Sequence, residues 1–240
     1  MSKYLEVIGR KRKWSPVAVD KGTLVEGAEE ALYRALALRC LELPVKSFLQ
    51  EGLEKELPQI PGVVEALMSN QADEDKHDLG LNYVVAAHGS DEKSEREAQR
   101  ILRTWLDAPE HPILKASILE RSVFFVLLPF FRFNGDIGLR TLAADISRDE
   151  QTHVAIHGMV CHDLGLKSTQ NLNRLRRATV AWVMEPLTRN TENKWLDKDF
   201  WIKQSDSLYT RGKAEGLADT QRARMPAFFE ASNINLPAYG

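Results

Sequence analysis

Cysteine is scarce in this chain of 240 residues: Cys40 and Cys161 are the only two, far apart and outside any Cys-x-x-Cys spacing. Neither a thiolate zinc site nor a disulfide framework is implied, and a reducing compartment is the natural setting. Long apolar runs are missing as well, since none approaches the roughly 18 residues of a membrane span. The first residues are polar and charged and do not form a signal peptide, so the expectation is a cytoplasmic protein with no membrane partner. An excess of one sign of charge is also absent. The net charge of −2 argues against a nucleic-acid-binding surface, and the basic runs at 10–13 and 174–177 read as solvated faces. No Gly-rich phosphate loop and no Ser-His-Asp arrangement is found. What remains is an ordinary globular composition, 43% hydrophobic and 28% charged, long enough for a single helical domain with a sizeable core.

The informative features are polar residues on stripes that should be apolar. Read at helical spacing, Leu139, Leu142, Ala143, Ile146, Glu150, His153, His157 and Val160 share one face. Earlier in the chain Val63, Leu67, Asn70, Glu74, His77, Leu81 and Val84 do the same. Each stripe carries Glu-x-x-His where a core residue is expected, and a buried Glu needs a partner. Two such helices are the ligand halves of a dimetal carboxylate site in a four-helix bundle, in which each of the other two helices adds one Glu.

The two remaining acids follow from the same stripes. Leu24, Ala28, Ala31, Ala35 and Leu38 lead to Glu42, with Glu29 on the adjacent stripe as its rival. The most hydrophobic segment, 113–133, places Ile113, Ser117, Phe124, Leu127, Leu128 and Phe131 around Glu120. Glu42 precedes Glu74 by 32 residues and Glu120 precedes Glu150 by 30, so the halves look like a pseudo-duplication. Four facing carboxylates could not all stay ionised without cations, and two divalent metals balance them. Oxygen-rich ligation with one imidazole per metal suits iron, manganese or both. Asp149, next to Glu150, is placed to accept the N–H of a metal-bound His. His157 reads as core or as a neighbour of the ligands; His88, His111 and His162 read as solvent-facing helix ends. The phenylalanines at 124, 125, 130, 131 and 133 read as core packing and a dry wall for the site.

In chain order, residues 1–21 read as an N-terminal arm containing Trp14, 22–165 as the metal-binding bundle, 166–217 as accessory helices and 218–240 as a flexible tail. Thr23 with Glu26 suggests a capping box that opens a helix from Leu24 to about Leu43, which Pro44 must end or kink. Pro61 suits the first turn of the Glu74 helix, Gly89 its end, and Pro129 should kink the Glu120 helix.

These residues resemble the small subunit of class I ribonucleotide reductase and the related ligand-binding oxidases. The resemblance rests on Ile60-Pro61 before Glu74-x-x-His77, Leu119-Glu120 leading into Phe124-Phe125 and Leu128-Pro129, and above all Arg148-Asp149-Glu150-x-x-His153, with Trp14-Ser-Pro and Asp20 near the start. It covers about 14–160 and implies an all-α, ferritin-like fold, two metals, dioxygen activation and a homodimer. Carried over, Glu42, Glu74, His77, Glu120, Glu150 and His153 are the metal ligands. Asp149 links His77 to an electron-transfer path that includes Trp14. Where the reductase subunit keeps its radical tyrosine this chain has Leu81, with Tyr83 displaced by two residues, so the expected mechanism does without a tyrosyl radical. Val45 matches the cross-linked Val of the oxidases, but Lys115 stands near the place of its Tyr, so that cross-link is not expected. The terminal Leu236-Pro-Ala-Tyr239-Gly240 favours docking on a large reductase subunit, with Tyr239 as a relay. The competing expectations are an oxygenase acting on a small apolar substrate, a metal-storage or structural bundle, and a noncatalytic metal-binding remnant.

Overall fold

Helix α4 (Val63–His88) and helix α8 (Ile137–Asp163) are the longest elements and carry the two Glu-x-x-His stripes. The structure is a computed structural model, and it describes residues 2–188 and 192–217. Around α4 and α8 the chain adds α1 (Lys3–Ile8), α2 (Glu29–Ala37), α3 (Glu42–Leu53), α5 (Glu92–Leu106), α6 (Pro112–Leu119), α7 (Phe125–Asn134), α9 (Gln170–Met184) and α10 (Lys198–Arg211). No strand occurs among the described residues. The bundle core is α3, α4, α8 and the α6–α7 rod: α3 packs on α4 and α6, and α8 packs on α4, α6 and α7. The short α1 lies on α4 and α8, α5 flanks α2, and α9 pairs with α10 against the middle of the α6–α7 rod. No described helix is long and apolar enough to cross a membrane.

The first helix differs from its sequence reading. Thr23 does not cap it, because Gly27 adopts a left-handed conformation (φ +84°) that a helix starting at Leu24 cannot contain, and α2 begins only at Glu29. Pro44 does not end a helix either. The chain tightens into a 3₁₀ turn at Leu38–Leu41 and restarts at Glu42, which puts Pro44 in the first turn of α3, where its missing N–H costs nothing. Glu42 is thereby held at a helix start and remains buried.

The α6–α7 rod is interrupted where it matters most. Residues Glu120–Phe124 form a π-helical turn in which the Phe125 N–H reaches the Glu120 carbonyl. Pro129 lies inside α7, its ring opposed to the carbonyl four residues back, that of Phe125. The π turn thus lies immediately upstream of the carbonyl that the proline ring opposes. A wide turn frees backbone carbonyls, and one is recovered from outside: Ser205 Oγ on α10 donates to the Ser122 carbonyl at 2.7 Å, and the buried Arg176 on α9 donates to Ser205 Oγ at 3.1 Å.

His88 is a correction. It is buried at the end of α4, with Nε2 2.7 Å from Asp136, and does not face solvent. Asp136 also caps α8 through the Leu139 N–H (2.8 Å) and holds the Gly22 N–H (2.7 Å), so one carboxylate ties the arm, α4 and α8 together. His111 accepts from the Ile113 N–H as the cap of α6, and His162 is exposed. Among the expected core aromatics, Phe124, Phe130 and Phe131 are buried and Phe125 and Phe133 half-buried.

Trp201 on α10 is fully buried and meets Phe130 edge-on at 5.4 Å. Replacing Trp201 by Ala should cost about 3–5 kcal/mol, read as a lower urea midpoint for the whole protein. An unshifted main transition would mean that α10 is only loosely appended to the bundle.

Candidate metal centre

The six acids and imidazoles singled out in the sequence meet in the bundle core. One group comprises Glu42, Glu74, His77 and Glu150, a second comprises Glu74, Glu120, Glu150 and His153, and in each the candidate ligand atoms lie within 4.8 Å of one another. Glu74 and Glu150 belong to both. Glu42 is supplied by the start of α3, Glu74 and His77 by α4, Glu120 by the π turn, and Glu150 and His153 by α8. Glu29, the rival of Glu42, is exposed at the start of α2, where it accepts the Gly27 N–H.

Both imidazoles turn Nδ1 inward. His77 Nδ1 lies 3.3 Å from Glu150 and 3.7 Å from both Glu42 and Glu74. His153 Nδ1 lies 3.1 Å from Glu74, 3.5 Å from Glu120 and 3.6 Å from Glu150. The outward nitrogens are held by aspartates in a crossed pattern. His77 Nε2 on α4 faces Asp149 on α8 at 3.3 Å, and His153 Nε2 on α8 faces Asp73 on α4 at 3.0 Å. An N–H committed to an aspartate at Nε2 leaves the Nδ1 lone pair free for a cation.

Whether the residues suit metal ions can be judged from what they leave unsatisfied. Glu42 Oε2, both oxygens of Glu74 and of Glu150, Glu120 Oε1 and the Nδ1 atoms of His77 and His153 are buried without a hydrogen-bond partner among the described residues. Such atoms are rare in a dry interior unless something binds them. Here they converge on one place, and their pattern fits a pair of cations: the two acids common to both groups offer both oxygens, and the two outer acids offer one each. The other Glu120 oxygen is held by His157 Nδ1 at 2.5 Å, and His157 Nε2 meets Asn70 at 3.1 Å. His157 therefore braces Glu120 and has no inward nitrogen left over.

Without a cation, protons must take up the charge. Burial opposes a charged His77, yet the carboxylates of Asp149, Glu150, Glu42 and Glu74 around it raise it well above the ordinary histidine value, and His153 is raised likewise against burial by Glu150, Asp73 and Glu120. Burial pushes Glu42 well up, whereas Glu74, for all its burial, is drawn down to about 2 by the two imidazoles. Asp149 falls despite its burial because it accepts from His77 and Trp14.

Sequence reasoning missed Asp73 and the lysines behind it. Lys76 bridges Asp73 (2.7 Å) and Asp149 (3.3 Å), and Lys11 from the arm pairs with Asp73. The signal was present, since Asp73-Glu74-x-x-His77 repeats Asp149-Glu150-x-x-His153 residue for residue. The arm also delivers Trp14, buried, whose Nε1 donates to Asp149 at 2.7 Å and whose ring stacks near His77 at 6.2 Å. Leu81, Val45 and Lys115 are buried and Tyr83 is half-buried.

No protein-family model matches the chain, and no curated protein matches it significantly. Among solved structures, the chain is similar to the crystal structure of a Bacillus halodurans protein provisionally described as a class I ribonucleotide reductase. The TM-score is 0.56 at 14% identity, over 90% of this chain and 93% of that one. The likeness is one of fold, and the chain is an all-α, ferritin-like bundle.

Asp73→Asn and Asp149→Asn should each weaken metal binding by roughly 10- to 100-fold, read by competition with a chelating dye; an effect from Asp149 alone would contradict the crossed pairing. Metal loading should release protons and strengthen as pH rises, seen as calorimetric heats that depend on the buffer. Raised values for His77, His153 and Glu42 also mean that the metal-free fold is favoured by protonation. Its stability should decline as pH climbs from the ordinary glutamate and histidine values through the raised folded ones, and loaded protein should not show that decline.

Proposed function

We propose that the chain is a dimetal-carboxylate oxidoreductase that activates dioxygen, most like a ribonucleotide reductase small subunit working without a radical tyrosine. The observation that carries this reading is the convergence of buried, partnerless ligand atoms from Glu42, Glu74, His77, Glu120, Glu150 and His153. Glu42, Glu74, His77 and Glu150 would hold one ion, and Glu74, Glu120, Glu150 and His153 would hold a second. Iron, manganese or one of each fits the oxygen-rich donor set. When bound, such a pair supplies the redox chemistry of dioxygen reduction. The fold supplies the rest.

Asp73 and Asp149 hold the Nε2 protons of the opposite imidazoles, so that neither ring can rotate or offer its other nitrogen. Val123 and Phe124 in the π turn and Leu81, one helical turn beyond His77, are all buried and keep bulk water from the cluster. Trp14, Asp149 and His77 make a hydrogen-bonded line from the arm to the ligands, which we assign to electron delivery. The Lys76 ammonium lies 5.1 Å from the Trp14 ring centroid, where its charge disfavours a lasting tryptophan cation. A homodimer and a large reductase partner belong to the same proposal. The Tyr239 relay lies outside the described residues.

The decisive experiment is anaerobic loading with iron, manganese or both, followed by air and by optical and paramagnetic-resonance spectra. Two metals per chain with an oxidised or radical metal signal and no tyrosyl signal is the expected result. Oxygen uptake without a persistent radical would favour an oxygenase acting on a small apolar substrate, and substoichiometric metal would sink the assignment. Trp14→Phe should keep the metal content while slowing reduction of the oxidised centre at least about tenfold, roughly 1.4 kcal/mol of barrier; an unchanged rate would remove Trp14 from the path.

A further inference from the structure

A cavity lies outside the bundle core, between the π turn and α7 on one side and α8, α10 and the segment after α10 on the other. Its volume is about 350 Å³, and none of its lining residues belongs to the carboxylate and imidazole cluster. Arg121 and Arg132 supply guanidinium groups to it. Both are half-buried, and desolvation lowers the proton affinity of each from the ordinary arginine value. Arg121 Nε is buried with no hydrogen-bond partner among the described residues, although arginines kept from water are ordinarily matched to an acid. The rest of the lining is largely apolar, with Phe125, Pro129, Val154, Leu208 and Leu217. Lys213 adds a further positive charge, and Glu215 is the one acid that lines the cavity.

An arginine beside an apolar slot forms a recognisable combination. A guanidinium offers a planar fork of donors to a carboxylate or phosphate, and the slot takes an apolar body. We propose that this cavity binds a small amphipathic organic anion, its carboxylate or phosphate head on Arg121 and its apolar part against Phe125, Val154 and Leu208. Arg121 follows Glu120 in the π turn and Gln151, another lining residue, follows Glu150, so the occupant lies on the outer side of the two elements that present those acids. The site is argued from its own lining and stands whether or not the metal reading does.

The test is calorimetric titration of the full-length protein with decanoate, decyl phosphate, decanol and inorganic phosphate. One molecule of decanoate or decyl phosphate should bind per chain, more tightly than decanol and than inorganic phosphate. Whichever amphiphile binds better names the head group. Arg121→Gln should weaken that binding about tenfold or more, and Ala214→Trp, which fills the slot from its rim, should abolish it. Arg121→Lys, which keeps the charge but loses the planar fork, serves in place of the first variant if that one does not fold, as judged by circular dichroism. Absence of saturable binding, equal binding of decanol, binding of inorganic phosphate as tight as that of either amphiphile, or unchanged binding in the variants would overturn the proposal.

Discussion

Everything in this structure answers to one electrostatic constraint: four carboxylates and two imidazoles are held within a few ångströms of one another in a dry helical core. Left to themselves the acids repel, and each buried oxygen has lost its water. The surrounding protein supplies compensation in layers. Asp73 and Asp149 steady the imidazoles, Lys11 and Lys76 steady the aspartates, and Trp14 donates to one of them. Within the cluster the innermost atoms are left without a hydrogen-bond partner among the described residues, an arrangement that a bound cation would complete.

The layers come from distant parts of the chain. Lys11 and Trp14 belong to the arm, which carries little regular structure after α1, yet Asp136 fastens its far end through Gly22 while Tyr4 near its start donates to Asp163 at 2.7 Å. An element that looks peripheral in sequence thus bears directly on the imidazole of His77.

How much of this could be read beforehand depended on periodicity. The six inward residues were legible because each interrupts an apolar stripe, and a polar residue at a core position is conspicuous in any helical register. Asp73 was not legible by that criterion, since it sits off the stripe and makes sense only beside its counterpart Asp149. The helix boundaries near Gly27 and Pro44 were misread because local propensity says little about where a turn must open to deliver Glu42. His88 was misread for a related reason: a histidine at a helix end looks solvated until Asp136, 48 residues away, is brought against it. The π turn had no signature of its own beyond Pro129, and its partner groups on α9 and α10 are more than fifty residues further on.

That last arrangement changes what the accessory helices are for. A π turn inserts one extra residue into the helical phase, so reverting it to α geometry would swing the following residues by about 100° around the axis. The Ser122 carbonyl, satisfied by Ser205 with Arg176 behind it, is one of the groups that holds the wider form in place. Helices α9 and α10 therefore act as a gauge on the angle at which Glu120 enters the core. Sequence drift on their inner faces would shift how Glu120 is presented without altering any of the six clustered residues.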